Sequence, residues 1–187
     1  MFNRIQIESS SLNLAQLLAD AHQNEGESGA VVTFTGAVRV SEEESGLTGM
    51  TLEHYPGMTE SQLAKILDET EKRWQLNTTK VVHRVGFLGA GEPIVFVAVS
   101  SLHRKEAFEA AQFIVDYLKQ KATFWKKEHY GDKTVWVEAK QSDVEATLRL
   151  LSCNFRVTFE DQVYRRGRLG RDRSRSRGIL ALPFRFL

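Results

Sequence analysis

The chain has one cysteine, Cys153, in 187 residues. A single thiol cannot close an internal disulfide or build a zinc site, so a reducing, cytoplasmic setting is expected. No stretch approaches the roughly 18 uninterrupted apolar residues of a membrane-spanning helix. The opening MFNRIQIESS has an arginine but no apolar run behind it, unlike a signal peptide. Net charge is only +1, and 42% of residues are hydrophobic. That pairing excludes disorder of the whole chain.

The small net charge conceals a split. Residues 1–148 hold 15 Lys and Arg against 21 Asp and Glu, a net of −6. Residues 149–187 hold 10 Arg, no Lys and 3 acidic residues, a net of +7. Two units are therefore expected, a domain over 1–148 and an atypical basic tail over 149–187. The tail contains the low-complexity run RRGRLGRDRSRSRG (165–178), which should be solvated or disordered alone. Such a run gives salt-dependent affinity for nucleic acid, so an accessory nucleic-acid-binding protein is the alternative reading. Sparse aromatics in the tail and an acidic domain oppose it. The abrupt change from Lys to Arg is also what a shifted reading frame would leave.

Strand and helix signals mix up to about residue 140. Phe2, Ile5 and Ile7 open a strand, and Ser9–Ser11 precede a helix with Leu12, Leu14, Leu17, Leu18 and Ala21 on one face. GAVVTFTGAV (29–38) reads as a buried strand, and Thr48 to His54 returns after the acidic loop 41–46. Thr59 is placed to cap a helix that runs to Trp74 with Leu63, Ile66 and Leu67 inward. Strands over 80–87 and 93–101 flank a glycine-rich turn at 88–91. A third helix spans Glu106 to Lys121 with Phe108, Ala111 and Val115 on one stripe, and two strands close the domain around Gly131-Asp132. A fourth helix is expected over Asp143 to Leu151. Three helices mixed with strands that lack regular crossover spacing predict a single α+β domain with mixed or antiparallel sheets.

Several chemistries lack their residues. GFLGAG (86–91) has no Walker lysine and is followed by Pro93 and a strand, so a hairpin turn is expected in place of a phosphate loop. The five histidines form no i, i+4 pair and none lies near the cysteine, which opposes a metal centre. No G-x-S-x-G elbow is present. Any sulfur chemistry of the domain must therefore use sulfur carried in by another molecule.

The basic residues say more. Lys119 follows Phe108, Ala111 and Val115 by 11, 8 and 4 positions, which at 100° per residue puts it within about 80° of all three. A lysine on an apolar stripe is partly desolvated, and its amine becomes available for nucleophilic or proton-transfer work. A snorkelling lysine favoured by the helix C-terminus fits the same spacing. In FWKKE (124–128), alternation turns Lys126 and Glu128 to one face, where they can pair beside an anionic substrate, and Lys127 to the other. His103-Arg104 and Arg39 sit at strand ends. Free backbone N–H groups and an arginine fork suit anions there, though each alone also reads as a surface charge.

The words VTFTGAVR (32–39), LEHYPGM (52–58), HRVG (83–86), SLHR (101–104), FEAAQFIVDYLK (108–119), FWKKE (124–128) and WVEAK (136–140) occur in this order. Together they resemble the large, catalytic subunits of molybdopterin synthase over about residues 3–145. The resemblance implies an α/β hammerhead-like fold and conversion of precursor Z, a cyclic pyranopterin monophosphate, to molybdopterin. No cofactor is implied. The two sulfurs would arrive as a thiocarboxylate on the C-terminal Gly-Gly of a small ubiquitin-like carrier subunit. A homodimer of this subunit at the centre of a heterotetramer is implied too; no membrane partner is expected from the sequence, and nucleic acid is disfavoured by its composition. By position, Lys119 and Lys126 match the family's essential lysines, and Arg39, His103 and Arg104 match its anion pocket. Ala37, Val38, Lys127 and Glu128 match the substrate-lining residues. Lys140 stands where family members commonly carry an arginine and is a candidate for a phosphate contact across the dimer. It keeps the charge and loses the bidentate fork. No counterpart of the tail is known in the family.

Overall fold

A computed structural model of the chain describes residues 4–23, 26–39, 46–121 and 124–137. The described elements are β1 (Ile5–Glu8), α1 (Leu14–Ala21), β2 (Ala30–Ala37), β3 (Leu47–His54), α2 (Met58–Arg73) and β4 (Thr78–Arg84). They continue with β5 (Gly86–Gly89), β6 (Pro93–Ser101), α3 (Arg104–Lys121), β7 (Phe124–Tyr130) and β8 (Lys133–Val137). Phe2, the acidic loop residues 41–45, Lys140, the helix expected over Asp143 to Leu151 and the tail lie outside the described residues.

The strands form two four-stranded sheets, β1-β4-β6-β2 and β5-β3-β7-β8. β1 runs parallel to β4, and every other pairing is antiparallel. This is the α+β architecture that the sequence pattern predicts. In the first sheet, period-2 alternation sends Val81, Val97 and Val99 to one face, where they pack with Leu63, Ile66 and Leu67 of α2 and Ala110, Ala111 and Ile114 of α3. Val82, Phe96 and Ala98 turn to the opposite face and meet Leu12 and Leu17 at α1. Both faces of β4 and β6 are thus covered, which explains why those strands read as continuous apolar runs. Each large side chain fully buried here contributes roughly 1.5–3 kcal/mol. A third cluster, Val38, Met50, Leu52 and Leu88, ties the end of β2 to the second sheet.

Four local expectations need correction. Asn13, not Ser9–Ser11, caps α1: its side chain accepts from the Gln16 N–H at 3.1 Å, so Leu12 precedes the helix. Gly57, not Thr59, begins α2. Its positive φ of 81° turns the chain into the helix, its N–H donates to Glu60 Oε2 at 2.6 Å, and Thr59 is buried. The strand expected over 80–87 is two strands in different sheets, because Gly86 (φ 85°) swings the chain from β4 into β5. β2 is not a buried strand. It lies at an edge of its sheet with Thr33, Phe34 and Thr35 exposed, although its composition matches that of the covered central strands.

Candidate active site

Topology sorts the candidate cations into two groups. β2 and β6 run antiparallel, with Ala30 opposite Ser101 and Ala37 opposite Pro93. Arg39, two residues beyond β2, therefore lies at the Pro93 end of β6. His103 and Arg104 lie beyond Ser101 at the other end, roughly 25 Å away along a strand of this length. The two-residue link Leu102-His103 returns α3 along the sheet, so its 18 residues carry Lys119 back to the Pro93 end. β4 also ends there, with His83 opposite Val95, and hands the chain into the second sheet. Lys126 belongs to that sheet, opposite Leu52. Arg39, Lys119 and Lys126 thus gather at one end of the domain, while His103 and Arg104 of the same chain stand apart.

Lys119 does not sit on a buried stripe. Ala107, Ala110, Ala111 and Ile114 form the buried face of α3, whereas Phe108 is 63% exposed and Lys119 is exposed. The helix approaches the sheet along a line between Ala111 and Ala110, which turns Phe108, Val115 and Lys119 to a flank. The other flank meets α2, where Trp74 and Phe113 pack edge to face at 5.4 Å. The Phe108–Lys119 flank consequently overhangs β2, whose outer edge carries no strand partner among the described residues. Phe34 shares this side of the sheet, since it lies opposite Val97. The result is an exposed strip beside β2, with two exposed phenylalanines, a strand edge that has no partner among the described residues, and a lysine towards its end.

Charged and aromatic groups neighbour the lysines. Asp116, one turn before Lys119, has its carboxyl raised above the ordinary range by burial, and the charge of Lys119 together with a hydrogen bond from Gln112 opposes that rise. Glu128 does not form the expected pair with Lys126: it accepts from the Tyr130 hydroxyl at 2.8 Å. Lys127, on the opposite face of β7, lies 5.4 Å over the Trp136 ring. β7 is an interior strand between β3 and β8, which holds Lys126 on a paired backbone. At its first residue, the Phe124 ring stacks on His83 of the other sheet at 3.8 Å. His83 is buried and its imidazole is lowered to about 4, chiefly by that burial.

Ala37 is the last residue of β2, and Val38 follows it. Ala37 is exposed and Val38 is buried in the cluster beneath. His103 precedes α3, its N–H 3.4 Å from Ser101 Oγ. Sequence reasoning missed Phe34, Asp116 and the His83–Phe124 stack. The i, i+3 spacing of Asp116 and Lys119 was a usable signal, but nothing local announces a stack between strands of two sheets. Among the described residues, no helix is long and apolar enough to cross a membrane.

Comparison with known proteins gives a consistent family. The model of the MoaE protein family matches residues 7–121. The molybdopterin synthase catalytic subunit of Escherichia coli strain K12 is 54% identical over 123 residues, 66% of this chain and 82% of the relative. A solved molybdopterin biosynthesis MoaE protein from Burkholderia ambifaria superposes with a TM-score of 0.66 at 40% identity, covering 78% of this chain and 96% of that one. A chain from a complex of subunits 1 and 2 of the Helicobacter pylori molybdopterin-converting factor shares the fold, with a TM-score of 0.62 at 21% identity over 73% of this chain and 91% of its own.

Proposed function

This chain belongs to the MoaE family of molybdopterin synthase catalytic subunits, and from that premise we propose that Arg39, Lys119 and Lys126 form the centre at which sulfur is transferred. The protein is a sulfur-transferring enzyme subunit of molybdenum cofactor biosynthesis. This assignment displaces the nucleic-acid-binding alternative as its function. The observation that carries the proposed site is the topology that brings these three cations, at the end of β2, on α3 and on β7, to one end of the domain.

Each group has a distinct part. Precursor Z is an anionic monophosphate, and Arg39 offers it a bidentate fork. The Lys119 amine serves covalent or proton-transfer chemistry at the thiocarboxylate or the substrate carbonyl. Lys126, on a rigid interior strand, orients and polarises the substrate; Ala37 and Glu128 line the same region, Val38 supports it from beneath with a buried side chain, and Lys127 lies on the opposite face of β7. Relatives carry the name catalytic subunit, and a neighbour of the same fold is part of a complex of two subunits; in this reading the partner is a small ubiquitin-like carrier whose Gly-Gly thiocarboxylate brings the sulfur. The strip between α3 and the edge of β2 that has no strand partner among the described residues suits an extended tail, because an unpaired strand edge offers hydrogen bonds to any passing backbone. A short Gly-Gly end fits beside Lys119 without side chains to clash.

His103 and Arg104 enter the site from a second copy of this chain. They stand at the far end of β6 in their own chain, so a central homodimer within the heterotetramer completes the anion pocket. Lys140, outside the described residues, acts across the same interface. The setting is cytoplasmic.

Reconstitution tests the reading. The purified chain, precursor Z and a thiocarboxylated carrier should yield molybdopterin, and Lys119→Ala should reduce the rate by about a hundredfold or more. Full activity of Lys119→Ala would sink the assigned role of that amine.

A further inference from the structure

We propose that the Arg84–Glu92 pair is a positioning device for Arg39, holding that guanidinium where it meets the substrate phosphate. The proposal rests on the reading of Arg39 given above and concerns residues outside the centre proposed there.

The need for such a device comes from Pro93. It is the first residue of β6, it lies opposite Ala37, and it has no N–H to donate to β2. The register between β2 and β6 shifts at this point, between Gly36 and Ala37. The strand ladder therefore stops two residues short of Arg39. Its place is taken by the turn that precedes β6: Val38 N–H donates to the Glu92 carbonyl at 3.0 Å, and Gly91 N–H donates to the Val38 carbonyl at 2.9 Å. Val38 is buried on Leu52 and Leu88, and Arg39 follows it as the last described residue before Gly46. Among the described residues, Arg39 is anchored from one side only, through this turn.

The turn is in turn fixed by a carboxylate. Glu92 Oε2 accepts from Gly89 N–H at 2.7 Å and lies 3.2 Å from Arg84 Nη1, and Glu92 N–H donates to the Gly89 carbonyl at 3.1 Å. Arg84 Nη2 reaches the Phe87 carbonyl at 3.3 Å. Arg84 is 7% exposed, and its Nε and Nη1 make no hydrogen bond among the described residues. A buried cation so sparsely bonded depends on one countercharge, and Glu92 supplies it. The pair joins β4, the 89–92 turn and the end of β2 in one unit. Without the carboxylate, Gly89 N–H loses its acceptor and Arg84 loses its countercharge. The turn then relaxes, and with it the two backbone bonds that hold Val38. Arg39 remains present but no longer preorganised.

A cycle of variants in the full chain tests this, with KM for precursor Z and kcat measured against saturating thiocarboxylated carrier. Glu92→Ala should raise KM about tenfold while kcat stays within about twofold. Glu92→Gln, which keeps an acceptor for Gly89 N–H but drops the charge, should fall between the two. The decisive arm is the double variant: in an Arg39→Ala background, Glu92→Ala should raise KM no further, because the residue it positions is gone. A rise that persists in that background, or an unchanged KM in both Glu92 variants, overturns the proposal while leaving Arg39 a ligand. An unchanged KM in Arg39→Ala alone overturns the reading of Arg39 and the proposal with it. Thermal melting of each variant separates these outcomes from unfolding. Should Glu92→Ala not fold, the Glu92→Gln and Arg39→Ala/Glu92→Gln pair carries the same comparison.

Discussion

At the scale of single residues, the imidazole of His83 shows how burial becomes a dependence on pH. It lies flat on Phe124, its Nδ1 is 2.9 Å from the Arg84 carbonyl, and it titrates near 4 against an ordinary 6.5. The hydrogen bond acts to raise the value and nearby His54 to lower it further, and desolvation exceeds both. A base with a depressed folded value is neutral in the native state. Protonation therefore favours the unfolded chain, and stability is complete above pH 6.5 and lost as pH falls from there towards 4. The difference of about 2.5 units corresponds to about 3 kcal/mol at pH 4 and below. His83→Phe preserves a ring against Phe124 and removes the titration. Urea unfolding at pH 7 and pH 4.5 should show a loss in the parent chain markedly larger than in this variant. Equal losses would mean that other groups carry the acid sensitivity. Lys119 teaches the complementary lesson. Its angular position beside Phe108 and Val115 was readable from spacing, but its exposure was not, because a helical wheel does not tell which flank a neighbouring strand covers.

At the scale of elements, long periodic segments were the most legible. The inward positions Leu63, Ile66 and Leu67 of α2 are buried as their spacing predicts, since tertiary packing there agrees with an amphipathic pattern. β2 was misjudged for a reason of the same kind. AVVTF and IVFVAV are alike in composition, and only the strand order, a long-range property, makes β2 an edge and β6 a centre. The same edge gives the α3–β2 strip its character, with Phe34 at 38% and Phe108 at 63% exposure. An exposed ring adds little to folding, so Phe108→Ala should change stability by less than about 0.5 kcal/mol. If the strip receives the carrier's tail, the lost apolar contact should weaken carrier binding by about tenfold, the equivalent of about 1.4 kcal/mol. Calorimetric titration with the carrier, beside thermal melts of both chains, checks the two halves of that expectation. A wild-type affinity would place the tail elsewhere.

At the scale of the whole molecule, the separation of His103 and Arg104 from Lys119 is the feature with the widest consequence. Both groups of cations were identified in the sequence through a resemblance, which named the members of a site without saying how many chains build it. The antiparallel pairing of Ala30 with Ser101 and Ala37 with Pro93 divides them, and that pairing joins residues 71 and 56 positions apart. If a second copy supplies the missing half, each site in a homodimer is a composite of Lys119 from one protomer and Arg104 from its partner. Two inactive variants should then restore one another. In a mixed dimer of Lys119→Ala and Arg104→Ala chains, one site carries both substitutions and the other carries neither. Random mixing makes half of the dimers mixed, and each has one intact site of two, so about one quarter of the parent activity should return. Sites built within single chains would give no recovery, because every site would then contain a substitution. Denaturing and refolding the two variants together, with each refolded alone as the reference, distinguishes the two arrangements. Recovery near one quarter also requires that Arg104→Ala be inactive alone, which the reference arm measures directly.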